Sequence, residues 1–205
     1  MLRIIAGSAR GTVLEAPRGR NNRPTLGSTR EGIFNVLANV GIIDTRVLDI
    51  FAGTGALGLE ALSRGAAEAV FIDKATGSII RKNAKKCHVE DKVKVLGGDV
   101  MRSLTSLQGQ TFDYLFMDPP YDRGFINKVI LALFTYQLVD ENSMLIVEHT
   151  TKEPIDWNSV ADKCSMWKEK KKGATVVSYL LCRRQENLSN WEFIQAVLTR
   201  LPMDI

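Results

Sequence analysis

No apolar run in this chain approaches the roughly 20 residues needed to span a bilayer. The opening segment, Met1-Leu2-Arg3-Ile4-Ile5-Ala6-Gly7, lacks the long apolar core of a secretory signal. Cysteine is scarce. Cys87, Cys164 and Cys182 are odd in number and stand at no metal-ligand spacing, so neither a disulfide framework nor a zinc site is expected. Only two histidines occur, His88 and His149, and neither has a partner pattern for acid–base or metal chemistry. The 6 prolines are few, low-complexity tracts and internal repeats are absent, and 45% of residues are hydrophobic, which together exclude a disordered chain. What remains has the size of one domain. The expectation is a cytoplasmic, metal-free monomer with a single domain over residues 1–184 and an extension over 185–205.

Charge is unevenly placed. The net charge is +4, and residues 1–35 hold six arginines against Glu15 and Glu31, so the remainder balances to zero. A basic arm ahead of a neutral body is either a phosphate-binding surface or a solvated segment. Lys168 to Lys172 is a second basic stretch.

Periodicity sets the fold class. Leu2–Ala6 and Thr12–Glu15 read as a small hairpin turning at Ala9-Arg10-Gly11. Pro17 to Gly27 reads as a loop, and Ser28-Thr29-Arg30-Glu31 has the form of a capping box that would open a helix. Apolar runs at Val47–Phe51, Ala69–Ile72, Val93–Leu96, Phe112–Met117 and Ser143–Glu148 alternate with helical patterns at Ala56–Arg64, Ala75–Lys86, Met101–Leu107 and Phe125–Tyr136. Such runs, without polar alternation, mark a parallel sheet covered on both faces. The pattern then breaks: Trp167–Lys172 and Ala174–Cys182 flank a Lys-Lys-Gly turn and read as an antiparallel hairpin. Glu186 to Leu201 has the spacing of a further amphipathic helix. The expected class is α/β, a Rossmann-like, mostly parallel sheet of the class I methyltransferase kind, with a C-terminal antiparallel hairpin and a small N-terminal hairpin arm.

The strand-to-helix junction Asp49-Ile50-Phe51-Ala52-Gly53-Thr54-Gly55-Ala56-Leu57-Gly58 carries G-x-G-x-x-G, whose glycines let the backbone approach a ligand at a helix N-terminus. That motif alone also fits a nicotinamide enzyme. The neighbouring acids favour another ligand. Asp49 would sit awkwardly beside a pyrophosphate and suits a ligand with an amino group and a sulfonium, such as S-adenosylmethionine. Asp73 closes the next strand, where an acid accepts from ribose hydroxyls, and Asp99 follows the third, placed for an adenine amine. Strand-end aspartates also cap the helices that follow them, which explains any one of these acids more easily than all three.

Asp118-Pro119-Pro120-Tyr121 follows the fourth strand. An aryl amine is a poor nucleophile because its lone pair is delocalised into the ring. Two acceptors that hold both N–H groups, the Asp118 carboxylate and the Pro119 carbonyl, localise that pair. Proline fixes the backbone without adding a donor, and Tyr121 offers a face for a flipped-out base. No cysteine follows a proline, which argues against covalent attack on a pyrimidine ring.

Taken in order, Arg-Pro-Thr (23–25), Arg-Glu-x-x-Phe-Asn (30–35), Val-Leu-Asp-x-Phe-Ala-Gly-x-Gly-Ala-Leu-Gly (47–58), Glu-Ala-Leu-Ser-Arg-Gly-Ala (60–66) and Asp-Pro-Pro-Tyr (118–121) resemble the RsmD family of bacterial 16S rRNA guanine-N2 methyltransferases over residues 2–183. The resemblance implies S-adenosylmethionine at Asp49, Ala52, Gly53, Thr54, Gly55, Asp73, Lys74, Asp99 and Val100. It places the target amine at Asp118, Pro119 and Tyr121. It also implies contact with 16S rRNA of the small ribosomal subunit, or an assembly intermediate of it, through Arg10, Arg23, Thr25 and Arg30. Leu26-Gly27-Ser28 stands where the family more often has Thr-Asp-Arg. The rival readings are an adenine-N6 nucleic-acid methyltransferase, a nicotinamide oxidoreductase and a non-catalytic RNA-binding assembly protein.

Overall fold

A computed structural model describes residues 1–17, 25–121 and 123–183. The helix expected over 186–201 and the arginines at 18, 20 and 23 lie outside the described residues. Strands β1 (Arg46–Ile50), β2 (Glu68–Asp73), β3 (Val93–Gly97), β4 (Tyr114–Met117), β5 (Met144–Thr150), β6 (Cys164–Lys172) and β7 (Thr175–Cys182) form one sheet in the order β3-β2-β1-β4-β5-β7-β6. The first five in that order run parallel, and β7 pairs antiparallel with both β5 and β6.

Side-chain alternation divides the core into two layers. Val47, Phe71, Phe116, Ile146 and Tyr179 face α1 (Thr25–Leu37), α2 (Ala56–Ser63) and α3 (Gly77–Lys86). Leu48, Ile50, Val70, Leu115 and Leu145 face α4 (Val100–Thr105), α5 (Phe125–Thr135) and α6 (Trp157–Val160). Because both faces are covered, these strands read as continuous apolar runs. Strand order reverses at β1: the chain goes from β1 outward to β2 and β3, then returns to place β4 on the other side. Open α/β sheets bind ligands at such a switch point, beyond the carboxyl ends of the strands. The glycine loop after β1 and the Asp-Pro-Pro-Tyr corner after β4 both open there.

The arm is built into the body. The expected hairpin contracts to one bridge, Arg3 with Val13, supported by Ile4 N donating to Thr12 O at 3.0 Å and Leu14 N to Leu2 O at 2.9 Å. Glu60 on α2, fully buried, accepts from Ile5 N at 2.7 Å and Ala6 N at 2.9 Å. Ser63 Oγ donates to Ala6 O at 2.6 Å and accepts from Ala9 N at 2.9 Å. Gly7 has φ +83, and a Cβ there would stand 1.8 Å from Ser63 O, so no other residue permits this approach. Further along, Glu15 N donates to Asn83 Oδ1 at 2.7 Å.

Two local expectations change and one helix is unanticipated. Helix α1 starts at Thr25, so Ser28 lies within it, and Ser28 Oγ accepts from Lys172 Nζ at 2.9 Å. Helix α6, four residues long and capped by Asp156 accepting from Asn158 N, is too short to show a period. Strand β6 begins at Cys164, ahead of its expected start, because an irregularity between Met166 and Lys168 breaks the alternation there.

Candidate functional site at the β1–β4 switch point

Three residues of the loop after β1 have left-handed backbone: Phe51 (φ 62), Gly53 (φ 57) and Gly55 (φ 76). Glycine adopts this region freely, whereas Phe51 carries a strain of about 1–3 kcal/mol. The Phe51 ring is held against Phe125, with centroids 5.3 Å apart. A Cβ on Gly53 would meet nothing nearer than Phe51 O at 4.0 Å, so the loop backbone has open space beside it. Gly58 serves packing instead: a Cβ there would stand 2.4 Å from the Phe71 ring.

Each of the three strand-end acids also serves the fold. Asp49, 2% exposed, accepts from Gly58 N at 2.9 Å through Oδ2. Burial pushes its carboxyl up to about 8. The Gly58 N–H opposes that rise, while Asp118 and Asp73 add to it. Asp73 accepts from Gly53 N at 2.9 Å through Oδ2, and from Ala75 N at 2.8 Å and Thr76 N at 3.0 Å through Oδ1. Burial acts to raise its pKa, but these N–H donors outweigh it and hold the carboxyl below its ordinary value. Asp73 therefore fixes the glycine loop and stays ionised at neutral pH. Asp99 is exposed and caps α4, accepting from Met101 N at 2.9 Å and Arg102 N at 3.1 Å through Oδ1.

Of the remaining cofactor candidates, Ala52 is half-buried and Lys74 exposed, while Val100 is buried as the first residue of α4. Thr54 O accepts from Asn83 Nδ2 at 2.9 Å. At the corner after β4, Asp118 and Tyr121 are half-buried, Pro119 is buried and Pro120 exposed. Asp118 is near enough to raise the Asp49 pKa. Tyr121 Oη donates to Glu148 Oε1 at 3.4 Å. Among the described residues no group of three or more His, Cys, Asp and Glu could hold a metal ion.

Of the candidate RNA contacts, the two whose side chains are described, Arg10 and Arg30, differ in exposure. Arg10 is exposed on the arm, Thr25 begins α1, and Arg23 lies outside the described residues. Arg30 is turned inward. It is 5% exposed, its Nε lies 3.8 Å from Glu60 Oε2, and it donates to Arg3 O. This burial withdraws Arg30 from the surface set, because its charge is needed beside Glu60.

Three residues without a role in the sequence reading take part in this architecture. Glu60 anchors the arm. Asn83 joins the arm to the glycine loop, since Nδ2 donates both to Glu15 O at 3.0 Å and to Thr54 O. Its signal was a neutral polar residue on the inner face of α3, three positions after Ile80. Glu148 receives the Tyr121 hydroxyl, and only the fold brings these two together.

A family model described as Conserved hypothetical protein 95 matches residues 2–181. Ribosomal RNA small subunit methyltransferase D of Escherichia coli K12 is 36% identical over 186 residues, covering 90% of each chain. The chain belongs to this family. The Haemophilus influenzae relative of the same name is 34% identical over 185 residues, covering 88% of this chain and 92% of its own. Among solved structures, a putative methyltransferase, YhhF, from Escherichia coli aligns with a TM-score of 0.77 and 33% identity, covering 89% of this chain and 98% of that one. A hypothetical protein of Thermus thermophilus aligns at 0.73 with 26% identity, covering 87% and 98%. Within the Glu-Ala-Leu-Ser-Arg-Gly-Ala segment, Glu60 and Ser63 hold the arm, and Glu60 pairs with Arg30 and Arg64.

Proposed function

We propose that this protein transfers the methyl group of S-adenosylmethionine to the exocyclic N2 amine of a guanine in 16S rRNA of the small ribosomal subunit. The observation that carries the reading is the shared edge: an amine-binding corner after β4 opens onto the same switch-point crevice as the glycine loop after β1.

The residues fit such a cofactor. Open space beside Gly53 admits ligand atoms to the loop backbone. The ionised Asp73 lies close enough to act on the Asp49 carboxyl, an acidic setting that favours a cation and disfavours a pyrophosphate. When bound, S-adenosylmethionine supplies an electrophilic sulfonium methyl. The chain's own groups do the rest. Asp73 orients the loop and keeps acceptor capacity for ribose hydroxyls. Asp118 and the Pro119 carbonyl hold the two amine hydrogens, so the nitrogen lone pair points at the methyl. As positive charge develops on that nitrogen, the Asp118 carboxylate stabilises it and accepts the proton that leaves. Tyr121, braced by Glu148, stacks on the base. Arg10 extends the contact to phosphates, and a small-subunit rRNA substrate supports a cytoplasmic location.

The test is transfer of labelled methyl from S-adenosylmethionine to small subunits from a strain lacking this gene. Label in 16S rRNA is expected. Label absent from 16S rRNA, or equal label in subunits from the wild-type strain, overturns the reading.

A further inference from the structure

The sheet ends in an edge strand with its charge sorted by face. In the β6–β7 ladder Lys168 stands opposite Tyr179, Lys170 opposite Val177 and Lys172 opposite Thr175. Directly paired residues project to the same face, and Val177 and Tyr179 pack in the layer that holds α1. Lys168, Lys170 and Lys172 are therefore on the α1 face. The one acid between them, Glu169, alternates to the other face and pairs there with Lys171 at 3.1 Å. Lysines on an edge strand discourage pairing with another chain. That requirement does not explain why one face is uniformly positive while the other is neutralised.

The positive face borders a groove of about 250 Å³. Ser28, Thr29 and Gly32 of α1 form one wall, and the run Lys170, Lys171 and Lys172 forms the other with Val177 and Tyr179. Gly32 has open space where a Cβ would stand. Glu31, the one acid of α1, does not line the groove. The Tyr179 hydroxyl is buried without a hydrogen-bond partner, a donor of the kind that a ligand oxygen or a bridging water satisfies. The groove reaches the proposed amine corner: Val177, on its wall, is the ladder partner of Glu148, whose carboxylate receives Tyr121. Apart from Val177 and the buried Tyr179 at its floor, its walls are small, polar or cationic, and three consecutive lysines suit a polyanion better than an apolar protein surface.

We propose that this groove receives the sugar–phosphate backbone of the RNA strand beside the target nucleotide, with Lys170 and Lys172 on phosphates within it and Lys168 on a phosphate further along the same face. The assignment rests on the rRNA reading above and adds the surface that grips the strand. It also moves the main phosphate contact from the arm to the edge strand.

The test is binding of 16S rRNA and of assembled small subunits across a salt series. Wild type is compared with the triple variant Lys168→Gln, Lys170→Gln, Lys172→Gln, with Lys92→Gln, an exposed lysine ahead of β3 at the other edge of the sheet, and with Gly32→Leu, which fills the groove. Each lost phosphate contact lowers the log–log salt slope by about 0.7–0.9, so the triple variant is expected to lose about 2–3 from the slope. Lys92→Gln is expected to change little, and Gly32→Leu to weaken binding while the melting temperature holds. Equal slopes for wild type and a folded triple variant, or undiminished binding by Gly32→Leu, overturn the proposal. Loss on subunits with naked rRNA unaffected assigns the groove to a ribosomal protein and also overturns it. Methyl transfer is followed in the same samples. A wild type that methylates rRNA while the slopes stay equal separates failure of the groove from failure of the enzymatic reading. A lowered slope with no methyl transfer by wild type shows the reverse.

Discussion

Arg30 and Glu60 face each other inside the protein, Nε to Oε2 at 3.8 Å, with 5% and 0% of their side chains exposed. Arg64 closes the pair from the other side, Nε to Glu60 Oε1 at 2.8 Å. One carboxylate thus joins α1, α2 and the N-terminal arm. Burial lowers the Arg30 pKa and the neighbouring Glu60 charge raises it, so the arginine depends on its partner.

Glu60→Ala should therefore destabilise the fold by about 3–5 kcal/mol, because it leaves buried positive charge uncompensated and two arm N–H groups without acceptors. Urea denaturation measures the loss. A loss below about 1 kcal/mol would mean that the arm is only loosely attached.

The same geometry separates two arginines that charge alone places together. Arg30→Ala should lower the melting temperature and leave the salt slope of rRNA binding near wild type. Arg10→Ala should leave stability intact and flatten the slope slightly, by less than one contact's worth of about 0.9. A changed slope for a fully stable Arg30→Ala protein would return that residue to the RNA surface.

Much of this was legible in the chain. The strand and helix order from residue 46 onward follows from apolar periods, and the switch-point site follows from where the glycine loop and Asp-Pro-Pro-Tyr fall within that order. What escaped is what depends on distant partners. Arg30 reads as a surface cation until Glu60 is beside it, since burial of a charge is visible only with its counter-charge. Asn83 sits in a Lys/Arg-rich helix, and its contacts to Glu15 and Thr54 span 68 and 29 residues. The Ser28-x-x-Glu31 pattern was misleading because the helix extends one turn earlier and Lys172 takes the Ser28 hydroxyl.

Asp73 makes cofactor affinity testable. Asp73→Ala removes an ionised acceptor from the proposed ribose site and the anchor of Gly53 N. Affinity for S-adenosylmethionine should fall by roughly 1.5–3 kcal/mol, about tenfold to a hundredfold. Unchanged affinity by titration calorimetry would remove Asp73 from the site.

Asp49 gives a pH dependence of known sign. Burial raises its carboxyl to about 8, so without a ligand it is mostly protonated at neutral pH. A cationic ligand favours the ionised form, and binding must then release a proton. Affinity for S-adenosylmethionine should rise as pH increases from about 6 to about 8 and level off above, and Asp49→Asn should flatten the rise. For stability the sign is opposite. The unfolded chain ionises near 3.8 and the folded one near 8, so this group's contribution falls through that window as pH rises. An affinity that is flat in pH for wild type would mean that Asp49 does not face the cation.

The amine corner is the centre of the proposed chemistry, and nucleoside mass spectrometry of 16S rRNA tests it most directly. Subunits from a strain lacking the gene are treated with S-adenosylmethionine and either wild type or Asp118→Asn. Wild type should produce N2-methylguanosine. Asp118→Asn should bind the cofactor with nearly unchanged affinity and produce that nucleoside orders of magnitude more slowly, because the lost carboxylate acts on the amine in the transition state. N6-methyladenosine in place of N2-methylguanosine, or an Asp118→Asn rate within a fewfold of wild type, would contradict the account.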